Sequence, residues 1–506
     1  MNPFALSSAR RTKVVCLAVA AISAVMMIPS AASAAESLRT TFLFSRSMNG
    51  GVPNGPSSNG VMSHDQRIGR VAAYQSDASN IVMGDTNSMT DVFMVTRAGP
   101  WGQNGTPWAM GATTLISAGL GGAPADGRSH SPTLDGSSHT KPSCIGFISE
   151  ATNLVAGDTN GVADAFVYNV GNGKLERVSR NTAGQQANGP SSDISVSGDC
   201  RRVAFTSTAT NLGLKSSKLA WRSARTAGST GGHRQVFVHV RSGKGQDKVF
   251  KGMTFVASTN KRGKPGNGDS YEAAFARAGK AVTFTSNASN LDRGDRSGGP
   301  DIYERSFLRK YTRIKGKGTQ SLAFKTRLVS ATRNGKAGNG PSTHSTVTDD
   351  GRYIAYETLA SNLLAGDANG VSDVARADIK GKRVKQEWVS KSFIGIGNGP
   401  SNRPQISGAA EFVLFDSEST VFKPSTSVAD DANGVRDMFL WNAPTRNVSL
   451  ESRDWDNGYL STASANPATS SRGNYVLFES ADPEIDQLIT NHGGVEQVYM
   501  RYLGPK

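Results

Sequence analysis

Four phrases in this chain set two carboxylates and one amide within seven residues, the composition of an oxygen-rich cation loop. They are Asp85-Asn87-Asp91, Asp158-Asn160-Asp164, Asp367-Asn369-Asp373 and Asp431-Asn433-Asp437. A fifth copy, Asp295 to Asp301, lacks the Asn, and two further copies, "GGHRQ" and "NHGGVEQ", lack the carboxylate pair. Calcium takes six to eight oxygens, so each phrase needs backbone carbonyls and water to complete a shell. A tight turn needs less, because Asn-Gly accommodates positive φ and short Asp or Asn side chains bond nearby amides. Structural turns are the favoured reading, with no cofactor expected and calcium at these twelve residues as the alternative.

Other chemistry is sparse. There is no Gly-x-Ser-x-Gly elbow, no His-Glu-x-x-His and no phosphate loop ending in Lys-Ser/Thr. The seven histidines are scattered, at His64, His130, His139, His233, His239, His344 and His492. His130 and His344 both stand just inside innermost strands, so a lyase or hydrolase site at the channel mouth built with Asp193 or Glu272 is the catalytic alternative.

The elements that must position these residues are read from internal repetition. "NGPSS" at Asn54 and Asn188 returns as "NGPST" at Asn339 and "NGPSN" at Asn398, with weaker copies at Asp126, Asn267 and Ser464. Each is followed by a strand ("RVAAYQS", "CIGFIS", "RVAFTS", "AVTFTS", "YIAYET", "FVLFDS", "YVLFES") and then a second one ("DVFMV", "DAFVY", "QVFVH", "DIYER", "DVARA", "DMFLW", "QVYMR"). A fourth strand is read at "RVSRN" from Arg177, "LVSAT" from Leu328 and "WVSKS" from Trp388. Seven such units predict an all-β fold, a closed seven-bladed β-propeller of four-stranded antiparallel blades. The last unit ends without its fourth strand, and "TTFLFSRSMNGG" from Thr40 matches the missing piece. The N-terminal strand is therefore expected to complete the last blade and protect its edge.

The run "NGPSSDISVSGDCRRVAFTSTATNL", with the later "GVADAFVYN", resembles the TolB-type, WD-repeat-like propeller repeat of exported bacterial proteins. The resemblance spans nearly all of the chain after its first residues. It implies a propeller, with roles in family members that range from envelope protein complexes to propellers carried beside an enzyme domain. No room is left here for the separate domain that TolB carries ahead of its propeller.

Residues 1–34 read as a secretory signal: Arg10, Arg11 and Lys13 precede an apolar run from Val14 to Ile28, and Ala32-Ser33-Ala34 offers small residues for cleavage. The apolar run is too short for a membrane span. Cys16 begins the run instead of ending it, which argues against a lipid-anchored mature end. Residues 35–506 are then one propeller domain, expected to be monomeric, periplasmic or extracellular, with no transmembrane span. The Arg pair leaves the export route open between the general and twin-arginine pathways. Two cysteines remain after cleavage, Cys144 and Cys200, and export permits but does not require a bridge between them.

Alignment on the repeats puts Asn59, Ser131, Asp193, Glu272, His344, Arg403 and Asn466 in register on the innermost strands, where a polar ring faces the central channel. That ring is either a ligand site or a hydrated channel. Charge supplies the other lead. The chain carries a formal net charge of +15. Between Arg201 and Lys336 basic residues outnumber acids about four to one. The clusters include Lys215 and Lys218, then Lys261, Arg262 and Lys264, then Arg309 and Lys310, and are read as loop insertions at about 213–232, 244–266 and 305–325 on one rim. The leading expectation is a non-catalytic exported scaffold whose rim engages an envelope protein or an anionic polymer. Nucleic acid is disfavoured, since Trp221 and Tyr311 are isolated aromatics and make no stacking platform.

Overall fold

The computed structural model describes residues 40–504 except 66–68, 99–107, 138–139, 214–231, 242–250, 296–297, 315–316, 423–432 and 492, with side chains 308–323 also outside the description. The signal segment, Lys215, Lys218, Trp221, His139, His492 and Asp431 thus lie outside the described residues, as do the side chains of Arg309, Lys310 and Tyr311.

Seven four-stranded antiparallel sheets follow one another along the chain. Blade 2 shows the pattern: Ser129–Leu134 innermost, then Cys144–Ser149, Asp164–Asn169 and the outermost Leu175–Arg177. A single short 3-10 turn, Leu120–Gly122, is the one helical element among the described residues. The second strands are buried at almost every position because neighbouring blades cover both faces. Seven hydrophobic clusters result, each at a junction between consecutive blades. One of them joins Tyr475, Leu477 and Val498 of the last blade to Tyr74 and Phe93 of the first, so the ring is closed.

Closure is made by Thr40–Leu43, which pairs antiparallel with Gln497–Tyr502 as the fourth strand of blade 7. Phe44 then enters the junction core edge-on to Tyr74 and Trp108, at 5.9 and 5.4 Å between ring centroids. Removing this strand would expose the backbone of Gln497–Tyr502 as a bare edge.

Two expectations need correction. The fourth strands end near the residues where they were expected to begin: Leu175–Arg177, Lys317–Leu328 and Lys385–Trp388. The Val-Ser that follows already turns towards the next blade, tied by bonds such as Val178 N–H to Ala165 O at 2.8 Å. The basic segments also do not share one rim. Residues 305–325 are no loop insertion but the prolonged third and fourth strands of blade 4, Asp301–Ile314 and Lys317–Leu328, paired out to Ile314 and Lys317. Lys261, Arg262 and Lys264 lie in the ordinary turn between blades 3 and 4, built like Asn181–Gln185, with Asn260 Oδ1 accepting two backbone N–H groups. Strands alternate in direction, so hairpins joining third to fourth strands lie at the opposite end from turns joining blade to blade.

Candidate functional site

The Asp-Asn-Gly phrases resolve into one hydrogen-bonded device, repeated around the ring. In blade 2, Asn160 donates its amide to Asp164 at 2.7 Å and to Ala187 O at 3.0 Å, while its Oδ1 accepts Val162 N–H at 3.3 Å. Asn87, Asn369 and Asn433 repeat these three bonds. The other carboxylate oxygen of Asp164 accepts a hydroxyl from Ser179, whose Oγ in turn accepts Ala165 N–H at 3.1 Å. The same serine appears in every blade, as Ser117, Ser179, Ser258, Ser330, Ser390, Ser452 and Ser45.

Blades 3 and 7 show what the device requires. Gln235 accepts from Ser258 at 2.6 Å and donates to Gly266 O at 3.2 Å. Gln497 likewise accepts from Ser45 at 2.8 Å and donates to Gly55 O at 2.9 Å. One neutral amide thus performs the work that Asn and Asp share elsewhere, with no charge at the site. In blade 2 the gap between the carboxylates is filled by Arg177, 2.7 Å from Asp158 and 3.7 Å from Asp164. Burial pushes Asp85, Asp164 and Asp373 up to about 6. The oxygens that would bind a cation are largely committed to backbone and side-chain donors, so the donor set fits a turn better than a calcium shell.

"NGPSS" is also architectural. A Cβ on Gly55, Gly127, Gly340 or Gly399 would meet backbone atoms just beyond the second strand at 2.7–2.9 Å. In five blades the serine that opens the innermost strand bonds the hydroxyl closing the second, as in Ser57 with Ser76 and Ser401 with Ser417, both 2.9 Å.

All seven ring residues occupy the third position of their innermost strands, and all seven have left-handed φ, between 46° and 55°. Strand pairing is interrupted at each of them by a bulge. Sequence reasoning missed a second ring, the penultimate residues of the second strands: Gln75, Ile148, Thr206, Thr285, Glu357, Asp416 and Glu479. The signal was present in "YQS", "YET", "FDS" and "FES", where a long polar residue breaks a buried strand. The two rings are stitched across blades. Glu357 accepts Arg403 N–H at 3.1 Å, Gln75 accepts Ser131 N–H at 2.8 Å and Glu479 accepts Asn59 N–H at 2.5 Å.

His344 is clasped from both sides, with Nδ1 2.8 Å from Glu357 and Nε2 3.2 Å from Glu272. The hydrogen bond with Glu357 raises its pKa against the opposing effect of burial. Burial alone would raise Glu357, but bonds from His344 and Thr343 outweigh it and hold the carboxyl below its usual range. With both nitrogens engaged, the imidazole has no free lone pair to serve as a general base. His130 instead bonds its neighbour Ser131 at 2.9 Å, and burial lowers its pKa. No hydrogen bond or ion pair among the described residues joins His130 to His344. Arg403 is spread between Asp416, 3.0 Å away, and Asn466. Burial pushes Asp416 up to about 6, against the pull of Arg403 and Arg436. Asp193 accepts from Ser192 and from Glu272 N–H, both at 3.3 Å.

Outside the channel, three grooves lie at successive blade junctions. The first, about 790 Å³, is lined by Asn260, Lys261, Arg262, Asp292, Arg293 and Thr326. The second, about 410 Å³, shares Asp292 and Thr326 with it and adds Lys325, Arg327, Arg333, Lys382 and Arg383. The third, about 690 Å³, lies between blades 5 and 6 and is rich in aromatic side chains. Among the described residues, Lys261, Arg262, Arg293, Lys325, Arg333, Lys382 and Arg383 make no direct ion pair. Cys144 and Cys200 are bonded, joining blade 2 to blade 3 with their Cα atoms 6.1 Å apart. No helix among the described residues is long and apolar enough to cross a membrane.

The class is a closed seven-bladed β-propeller of four-stranded antiparallel blades. No protein-family model and no curated protein matches the chain. Similar solved structures include TolB from Acinetobacter baumannii, at 12% identity over 75% of this chain and 80% of that one, TM-score 0.31. The putative TolB from Agrobacterium tumefaciens is similar at 14% identity over 77% and 94%, TM-score 0.33. An acylaminoacyl peptidase from Pyrococcus horikoshii is similar at 10% identity over 84% of this chain but 49% of that one, TM-score 0.40. The seven-bladed ring itself rests on the strand pairing.

Proposed function

We propose that this chain is an exported, non-catalytic binding propeller that holds an anionic polymer of the cell envelope along the outer edge of blades 3 to 5. The observation that carries the reading is the pair of adjoining grooves lined by cations without direct ion pairs, with Asp292 and Thr326 common to both. Cations left in water beside one another repel, and a polyanion relieves that repulsion while releasing counterions. The reading places the contact along the side of the ring and not on one rim, because Lys261 and Arg262 lie at a blade-to-blade turn and Lys382 and Arg383 at a third-to-fourth strand hairpin. It is tested by titrating labelled polygalacturonate and polyphosphate into the purified protein and its Arg333→Gln/Lys382→Gln/Arg383→Gln variant. Binding should weaken at least tenfold in the variant, and the slope of log K against log salt should become shallower by up to about one per cation removed. Unchanged binding, or equal binding of neutral dextran, would refute the reading.

A second reading assigns a small polar ligand to the channel ring. It is favoured by the left-handed backbone at Glu272, His344 and Arg403, residue types that gain little from that conformation. Ligand-induced stabilisation that vanishes in Glu272→Ala while the fold persists would support it; equal stabilisation of both proteins would exclude it.

A further inference from the structure

The groove between blades 5 and 6 differs in chemistry from the two basic grooves beside it. Its floor is a rigid stack. The Arg376 guanidinium lies 4.6 Å from the Tyr353 ring centroid and 4.7 Å from that of Trp441, and Arg352 covers Tyr353 at 4.5 Å. Arg376 also donates to Ala410 O at 2.8 Å and pairs with Glu387, which is held in addition by Arg446. None of these groups needs to move to receive a ligand. The wall is aromatic: the Trp388 indole is fixed through Nε1–H to Ala365 O at 3.0 Å, and Phe393 stands beside it, 68% exposed. Lys391 lies 5.9 Å from the Trp388 ring, and Lys385 completes the wall without a direct ion pair among the described residues.

We propose that this groove is a subsite for one or two residues of an acidic polysaccharide, with sugar faces against Trp388 and Phe393 and uronate carboxylates at Lys385 and Lys391. This rests on the anionic-polymer reading and names its polymer class. Three features select a saccharide. Exposed aromatic faces beside polar groups suit the alternating C–H and hydroxyl surface of a pyranose. The cleft volume, about 690 Å³, lies within the range of small-ligand pockets. Asp378 and Glu387 on the same walls are neutralised by Arg352, Arg376 and Arg446 and offer carboxylate lone pairs to sugar hydroxyl donors. Continuity favours the same polymer, since Lys382 and Arg383 line the basic groove and Lys385, on the strand they lead into, lines this one.

The test titrates the purified protein with tetragalacturonate, maltotetraose, polyphosphate and a thymidine oligonucleotide, following tryptophan fluorescence and calorimetric heat. Tetragalacturonate should bind and maltotetraose should not. Phe393→Ser, a change at an exposed position, should weaken tetragalacturonate roughly three- to tenfold and leave polyphosphate unchanged. Lys385→Gln/Lys391→Gln should remove the salt dependence of the tetramer. The Arg333→Gln/Lys382→Gln/Arg383→Gln variant should lose long polymers but keep the tetramer. Polyphosphate binding without tetramer binding would overturn the subsite and leave the basic edge standing. Tetramer binding insensitive to Phe393→Ser, or tighter Phe393-dependent binding of the oligonucleotide, would overturn the saccharide assignment. If neither polymer binds, both readings fall.

Discussion

Removing one hydroxyl from the repeated turn device should be costly, and costly in a pH-dependent way. In blade 5, Ser390, Asp373 and Val374 are all fully buried. Ser390 Oγ donates to Asp373 at 2.7 Å and accepts Val374 N–H at 3.0 Å. Ser390→Ala strands a buried amide and strips a buried carboxyl of its shortest hydrogen bond, which together should cost about 4 kcal/mol above neutral pH. Burial places Asp373 at about 6, above its ordinary 3.8, even though Ser390 and Asn369 pull it down. The native state therefore holds this proton more tightly than the unfolded chain, and the contribution to stability is greatest below pH 3.8 and falls as pH rises through about 6. Without Ser390 the carboxyl rises further, so the penalty of the substitution should grow from pH 4 to pH 8. Blade 3 supplies the control: Ser258→Ala disturbs the same geometry around neutral Gln235, so its penalty should not vary with pH on this account. Urea unfolding across this pH range measures both. A pH-independent penalty for Ser390→Ala, or one below about 1 kcal/mol, would refute the reasoning. So would a rise in melting temperature with millimolar calcium that disappears in Asp367→Asn, because the carboxylates would then be holding a cation.

Two further outcomes follow from the same geometry. The Cys144–Cys200 bridge closes a span of 56 residues, worth about 4 kcal/mol by loop entropy. Reductant should lower the unfolding free energy of the natural chain by that amount and leave Cys200→Ser unmoved; no effect of reductant on the natural chain would show that the thiols are free. His344 has a raised pKa, so its clasp with Glu357 and Glu272 contributes fully below its ordinary 6.5 and is lost as pH climbs through the raised value. The stability gap between the natural chain and His344→Gln should therefore be wider at pH 6 than at pH 9. A gap that does not vary with pH would mean the clasp carries no charge.

Much of this protein is legible along the chain because the propeller is built from local rules. Short apolar strands, a glycine where two backbones approach (Thr462 takes its place in the last blade) and a serine opening every innermost strand recur along the chain, so the repeat count, the strand order and the closing strand at Thr40 can be read without coordinates. The register of the channel residues is equally local, being the third place after the same turn. Tertiary structure alone decided what those residues do. Whether His344 is a base or a clasp depends on Glu272 and Glu357, which lie 72 residues before it and 13 after it. Whether Asp158 binds a cation depends on Arg177 arriving from the outermost strand. The basic segments gave no sign in sequence that strand direction would divide them between two ends, or that Lys382 and Arg383 would complete the groove begun by Lys325. Distances across blades are set by the ring, and a linear pattern carries no record of which side chains the ring brings together.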